Sequence, residues 1–317
     1  MPRRPVLATV PDELLALASA QDGLLTTAQL GAGGIDANDL RSLSKHGGWT
    51  RPVRGVWAVS NRTSPGGDLA PRRMARAAML AVGGGTACLG TAAAVMGLDG
   101  APPDKRVHLS LDPADTRRQC AGVALHWLVL GRADVVVIDG IPCTAYPRLL
   151  LDAARRWDRD HAVSLIDSAL HHDRVGRGDL ADLAARFPVN RRPWLRLGDR
   201  RAESPLETRV RLLLIDHGLV PEDLQTEVID GLARFVARLD IAWPTLRVAV
   251  ECDGAGPHTQ PSALFRDRAR QDDLNALGWR IVRVTWDDWQ RRPADAIRRV
   301  RRALEAATGR AAPPSVR

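Results

Sequence analysis

At 317 residues the chain exceeds one ordinary domain, so two or three separately cored units are expected. With 45% hydrophobic and 26% charged residues the composition is globular, and the absence of any apolar run near the ~18–20 residues that span a bilayer argues against membrane insertion. The net charge of +8, carried mainly by arginine, favours a polyanionic partner, although an arginine-inflated genome would leave the same trace.

The basic start Met-Pro-Arg-Arg-Pro is followed by an apolar stretch broken too soon, at Pro11 and Asp12, for a secretory signal, so a cytoplasmic protein is expected. Cys88, Cys120, Cys143 and Cys252 lie far apart with no Cys-x-x-Cys pair, the pattern of ordinary thiols rather than of a zinc site or disulfide framework. From Pro11, Leu14, Leu15, Leu17 and Ala18 predict a short amphipathic helix, Gly23 a turn, and Thr26 or Thr27 the opening of a second helix. Asp36 caps a third, with Leu40 and Leu43 on one face and Arg41 and Lys45 on the other, ending at Gly47 and Gly48. Three short helices followed by the alternating stretch Trp49–Val59 around a tight turn predict a winged helix.

Residues 61–71 are rich in Gly, Pro and Ser and read as a connector. Beyond them, 72–98 predicts Ala-rich helices separated at Gly83–Gly85, 107–111 and 123–128 predict strands, and Leu149–Ala154 lies in a further helix after the turn at 139–142. Helices continue through 158–185, and the Arg/Pro-rich stretch 186–201 breaks all periodicity. The remainder predicts a helix at 205–217, strands at 225–228, 234–241 and 247–252, a helix at 262–277, a strand at 280–285 and a closing helix at 293–306. His171 and His172 read as surface residues, and Trp243, Trp279, Trp286 and Trp289 as core or strand-flanking residues.

The last block carries the chemistry. Asp240 ends one strand, Glu251 ends the next, and Asp253 shares the face of Glu251 by the two-residue period. Carboxylates at adjacent strand ends suit a divalent cation, the agent that neutralises a scissile phosphate and activates water in phosphodiester cleavage. Asp240, Glu251 and Glu207, on the preceding helix, are the expected metal ligands; Asp253 extends the acidic group, and His258 is near enough in sequence for proton transfer. Arg266, Asp267 and Arg270 open the following helix, where they pair or touch phosphate.

In order, Ser204-Pro205-Leu206-Glu207, Gln225, Asp240, Glu251-Cys252-Asp253-Gly254, His258, Asp267, Arg270, Leu274 and Gly278–Arg283 resemble the very-short-patch-repair-like (Vsr-like) branch of the PD-(D/E)xK restriction-endonuclease-like nucleases. The resemblance spans about 204–290 and implies a Mg2+- or Mn2+-dependent endonuclease in phage defence or DNA repair, with Gln225, Arg266 and Arg270 toward nucleic acid. Asp253 stands where the wider family has lysine, so the general base has no assigned residue. Residues 10–180 resemble the winged-helix and companion domain of type IV abortive-infection antitoxins through Asp22–Leu30, Trp49–Val59, Gly140-Ile141-Pro142-Cys143-Thr144, Arg148, Leu150 and Asp152. That resemblance implies transcriptional regulation through DNA, with Gln29, Arg41, Lys45, Arg51 and Arg54 as candidate contacts.

The expected architecture is therefore multidomain α/β. A winged helix occupies 1–62, a mixed α/β companion domain 63–186, a linker 187–203, a restriction-endonuclease-like domain with a mixed central sheet 204–306, and a disordered tail 307–317. DNA is the expected partner, a homodimer is compatible, and the sequence does not name a toxin partner. The competing expectation is a non-catalytic antitoxin-type regulator with a degenerate nuclease fold.

Overall fold

The computed structural model describes residues 9–59, 70–117, 119–254 and 261–311, the side chains of 261–267 and 310–311 excepted. The chain divides into two compact units, 1–156 and 157–317.

The first unit opens with α1 (Asp12–Ala20), β1 (Leu24–Thr26), α2 (Thr27–Ala32), α3 (Ala37–His46), β2 (Thr50–Val53) and β3 (Val56–Ala58). Local chemistry sets the helix starts. The Thr26 hydroxyl accepts from the Gln29 backbone N–H, and Asp36 accepts from those of Asn38 and Asp39, satisfying donors that have no partner within the helix. Leu14, Leu25, Leu30, Leu40, Leu43 and Trp49 form one buried cluster. β2 and β3 are an antiparallel hairpin turning at Arg54-Gly55, where the φ of +86° at Gly55 favours glycine. β1 pairs with β3 in a three-stranded sheet; three residues are too few to show alternation, which is why this stretch reads as a turn in the sequence.

The unit continues with α4 (Pro71–Val82), β4 (Thr86–Ala87), α5 (Leu89–Val95), β5 (Val107–Ser110), β6 (Val123–His126), β7 (Val135–Ile138), β8 (Ile141–Thr144) and α6 (Tyr146–Arg156). The strands form a mixed sheet ordered β6-β5-β4-β8-β7. Arginines of α4 tie the unit together: Arg72 and Arg76 pair with Asp22, and Arg76 also donates to the Gly140 carbonyl at 2.9 Å.

The second unit holds α7 (Arg159–His171), α8 (Arg177–Ala184), α9 (Pro193–Leu197), α10 (Pro205–Asp216), β9 (Asp223–Ile229), β10 (Phe235–Trp243), β11 (Val248–Asp253), α11 (Pro261–Ala276), β12 (Arg280–Thr285), α12 (Trp286–Arg291) and α13 (Pro293–Ala311). Its sheet is ordered β12-β11-β10-β9, with β11 and β12 parallel and the other pairs antiparallel. On one face Leu206, Val210 and Leu214 of α10 and Ile297 and Val300 of α13 pack against Ile241, Val248, Val250 and Val284. On the other, Leu274 of α11 packs against Ala237, Leu239 and Ala249.

Three features of the structure bear on the expected boundaries. The segment 187–203 is folded: it holds a 3-10 turn at Val189–Arg191 and α9, buries Leu195, and offers the Leu197 carbonyl to Arg211 at 2.8 Å. Pro193 sits at the start of α9 and Pro188 just before the 3-10 turn, places where no N–H is needed, so the Arg/Pro composition here accompanies folded chain. Helices α7 and α8, expected in the middle domain, belong to the second unit, where buried Asp167 of α7 pairs with Arg211 of α10 at 2.6 Å. The closing helix runs on to Ala311, past the expected start of the tail at 307.

Candidate active site

The site begins at the amino-terminal end of α10. Ser204 caps the helix and Pro205 follows it, which sets Glu207 one turn in and facing back toward the cap. The Ser204 hydroxyl donates to Glu207 Oε1 at 2.7 Å, while the Glu203 N–H and Gln225 Nε2 donate to Oε2 at 2.9 and 2.8 Å. Glu207 is buried, which pushes its pKa up against these donors, and the nearby charge of Asp240 adds to the rise.

Asp240 lies on β10 opposite Gln225 of β9, between the register pairs Leu239–Thr226 and Ile241–Leu224. The β10 side chains change partners there: Ala237 and Leu239 join the cluster under α11, whereas Ile241 and Trp243 join the one under α10 and α13. Gln225 has a φ of +53°, a left-handed conformation that costs an L-residue about 1–2 kcal/mol. Asp240 Oδ2 accepts the Cys252 N–H at 2.8 Å, tying β10 to the end of β11. Burial raises its pKa, opposed by that backbone bond and by Arg238 and Arg270.

Glu251 stands beside Arg283 in the parallel pairing of β11 and β12. Its Oε1 accepts from Arg270 Nη2 of α11 at 2.8 Å, and Oε2 lies 3.6 Å from Arg283 Nε. Burial again raises the pKa, with the two arginines opposing and the charges of Asp240 and Asp253 reinforcing. Asp253 is exposed at the strand end. The thiol of Cys252 is pushed well up by burial and by Asp240, Glu207, Glu251 and Asp253 together, so it stays protonated.

The fold thus brings together Glu207, Gln225, Asp240, Glu251 and Asp253, with Arg270 on the same group. Gln225, expected toward nucleic acid, donates to Glu207. His258 lies outside the described residues, as does the side chain of Arg266. In the first unit Arg41, Lys45, Arg51 and Arg54 are exposed, and Arg51 lies 5.8 Å over the Trp57 ring. Gln29 is engaged within the fold: its Oε1 accepts the Thr26 N–H at 2.7 Å and its Nε2 donates to Gln21 at 3.1 Å. Sequence reasoning missed Arg283 as a partner of Glu251, although both occupy the fourth position of their strands, the register a parallel pair aligns. It also missed the Cys252 N–H, which no side-chain pattern encodes.

The donor set of carboxylate oxygens suits a hard divalent cation. One further oxygen fits the same chemistry, since Gln225 Oε1 is buried with no hydrogen-bond partner among the described residues. In the present side-chain arrangement no group of three or more His, Cys, Asp or Glu among the described residues is placed to hold a metal ion. The bonds already made account for this: Glu207 is turned to Ser204, the Glu203 N–H and Gln225, and Glu251 to Arg270.

Comparison with known families defines the class. Residues 12–60 match the family model "Transcriptional regulator, AbiEi antitoxin", and 219–304 match REase_MTES_1575. The chain is therefore a protein with an amino-terminal antitoxin-type regulator domain and a carboxyl-terminal restriction-endonuclease-like domain. Among its relatives are the uncharacterized proteins MT2308 and Rv2248 of Mycobacterium tuberculosis (strains CDC 1551 / Oshkosh and ATCC 25618 / H37Rv). Each is 35% identical over 271 residues, which cover 83% of this chain and 95% of the relative. The chain belongs to the family of these two mycobacterial proteins. No helix among the described residues is long and apolar enough to cross a membrane.

Proposed function

We propose that this chain is a metal-dependent DNA endonuclease that hydrolyses phosphodiester bonds and is docked on DNA by a winged helix in residues 1–62. The observation that carries the reading is the assembly of Glu207, Asp240, Glu251 and Asp253 from three elements around Gln225, in a domain of restriction-endonuclease-like class. Burial raises the proton affinity of Glu207, Asp240 and Glu251, and neighbouring acids add to the rise at Glu207 and Glu251, an arrangement that a cation relieves.

Glu207, Asp240 and Glu251 would hold Mg2+ or Mn2+, which when bound neutralises phosphate charge and acidifies water. Arg270 and Arg283 hold the Glu251 carboxylate at the strand end, and Arg270 supplies positive charge that a strand lysine would otherwise bring. His258 is the proposed proton-transfer group. The ordered motif from Ser204 to Arg283 supports the Vsr-like branch. The hairpin turn at Arg54-Gly55 and exposed Arg41, Lys45 and Arg51 support the winged-helix reading, with α3 in the major groove of DNA. The proposed setting is cytoplasmic phage defence or DNA repair.

One observation favours a second reading, a non-catalytic antitoxin-type regulator: Glu251 is already neutralised by Arg270. Incubating the purified chain with duplex and single-stranded DNA in Mg2+ or Mn2+ separates the two. Cleavage that vanishes with chelator and in D240A supports the nuclease, and DNA binding without cleavage supports the regulator.

A further inference from the structure

Gln225 occupies its place against two local preferences. Its φ of +53° is a conformation that L-residues avoid, and its Oε1 is buried with no hydrogen-bond partner among the described residues. Its amide is meanwhile committed to a carboxylate: Nε2 donates to Glu207 Oε2 at 2.8 Å, and Gln225 stands opposite Asp240 in the β9–β10 pairing. Turning the amide over would set Oε1 against Glu207 Oε2, two acceptors face to face, so the bond to Glu207 fixes which end is left open. A bare carbonyl oxygen is thereby held beside buried Glu207, on a residue opposite half-buried Asp240.

We infer that Gln225 is a positioning residue that also contributes a neutral oxygen ligand to the cation taken by Glu207 and Asp240. This rests on the metal-dependent reading above and deepens it. An amide oxygen is a hard donor of the kind that Mg2+ and Mn2+ accept, and it adds coordination without adding a further negative charge to a crowded acidic group. The left-handed backbone at residue 225 is held in place by the β9–β10 pairs on either side of it, so the fold itself maintains the position from which the side chain reaches Glu207.

The test is calorimetric titration of the full chain with Mn2+, without nucleic acid, for wild type, Q225L, Q225N, Q225E and D240A. Wild type binds and D240A does not. Q225L and Q225N bind roughly 10–100-fold more weakly, the usual effect of disturbing a ligand shell. Q225E, which keeps an oxygen at the same reach, binds far more tightly than Q225L. Circular dichroism and melting of each variant without metal show whether the fold is kept, and Q225N, which shortens the arm but keeps the amide, serves if Q225L unfolds. Wild-type affinity in folded Q225L or Q225N overturns the inference while leaving the metal-dependent reading intact. Absence of Mn2+ binding by the wild type overturns both.

Discussion

Replacing Asp167 with alanine removes the acid from a buried network in the second unit. Asp167 Oδ2 accepts from Arg211 Nη2 at 2.6 Å and from the Thr208 hydroxyl at 2.7 Å, and Oδ1 accepts the Asp199 N–H at 2.7 Å. The two charged side chains are only 2% and 7% exposed, so D167A leaves a guanidinium without water or counter-charge. Removing one partner of such a pair costs about 3–5 kcal/mol. A unit of this size shifts by about 2–4 °C per kcal/mol, so its melting falls by roughly 6–20 °C. Calorimetry and urea unfolding measure the change. Replacing both members with apolar residues, as in D167L with R211M, recovers most of the loss, because the penalty lies in the orphaned charge rather than in the missing attraction. A D167A protein within about 1 kcal/mol of wild type, the level of a solvated surface pair, refutes the claim that this bond holds α7 against α10.

Further outcomes follow from the same structure. Q29A opens the capping box at Thr26 and lowers the stability of the first unit by about 0.5–2 kcal/mol, readable in thermal melts. Its DNA affinity at low temperature, measured by fluorescence anisotropy, stays near wild type, because the Gln29 amide is already used within the fold. K45A and R54A instead weaken DNA binding with little loss of stability, and each reduces the salt slope of log K by about one. Asp240 has a folded pKa above its ordinary 3.8, so its contribution to stability is present below 3.8 and lost as pH rises through the folded value. D240N, melted without metal, is therefore more stable than wild type at pH 8, by about 0.5–2 kcal/mol, and the gain disappears near pH 4.

Much of the second unit was legible because its signals are local. Ser204-Pro205 starts α10 where expected, and the strand Arg280–Thr285 was read with the bounds it has. Thr26 and Asp36 announced the helices of the first unit through their caps. What escaped depends on partners distant in sequence. β1 and β4, with three and two residues, exist only because β3, β5 and β8 pair with them. The packing of 187–203 depends on Arg211 reaching Leu197, which composition cannot show. In the site, acids at strand ends stood out by spacing, and their convergence needs only adjacent strands. The second arginine on Glu251 requires knowing that β12 returns parallel to β11, and the role of Gln225 requires a backbone angle that no residue pattern specifies. Trp286 and Trp289, read as core or flanking residues, stand about 5 Å from the guanidinium of buried Arg209, a placement that residue identity alone left open.

The central claim is that the acidic group of Glu207, Asp240, Glu251 and Asp253 is catalytic, and D240N tests it most directly, since the variant keeps the shape of the side chain and is expected to fold at least as well as wild type. Supercoiled plasmid incubated with each protein in Mn2+ or Mg2+ is the measurement. Nicking or linearisation by wild type, lost with chelator and reduced to background in a D240N protein that melts no lower than wild type at pH 8, is the predicted result. Equal cleavage by both proteins, or none by metal-loaded wild type on plasmid it demonstrably binds, contradicts it.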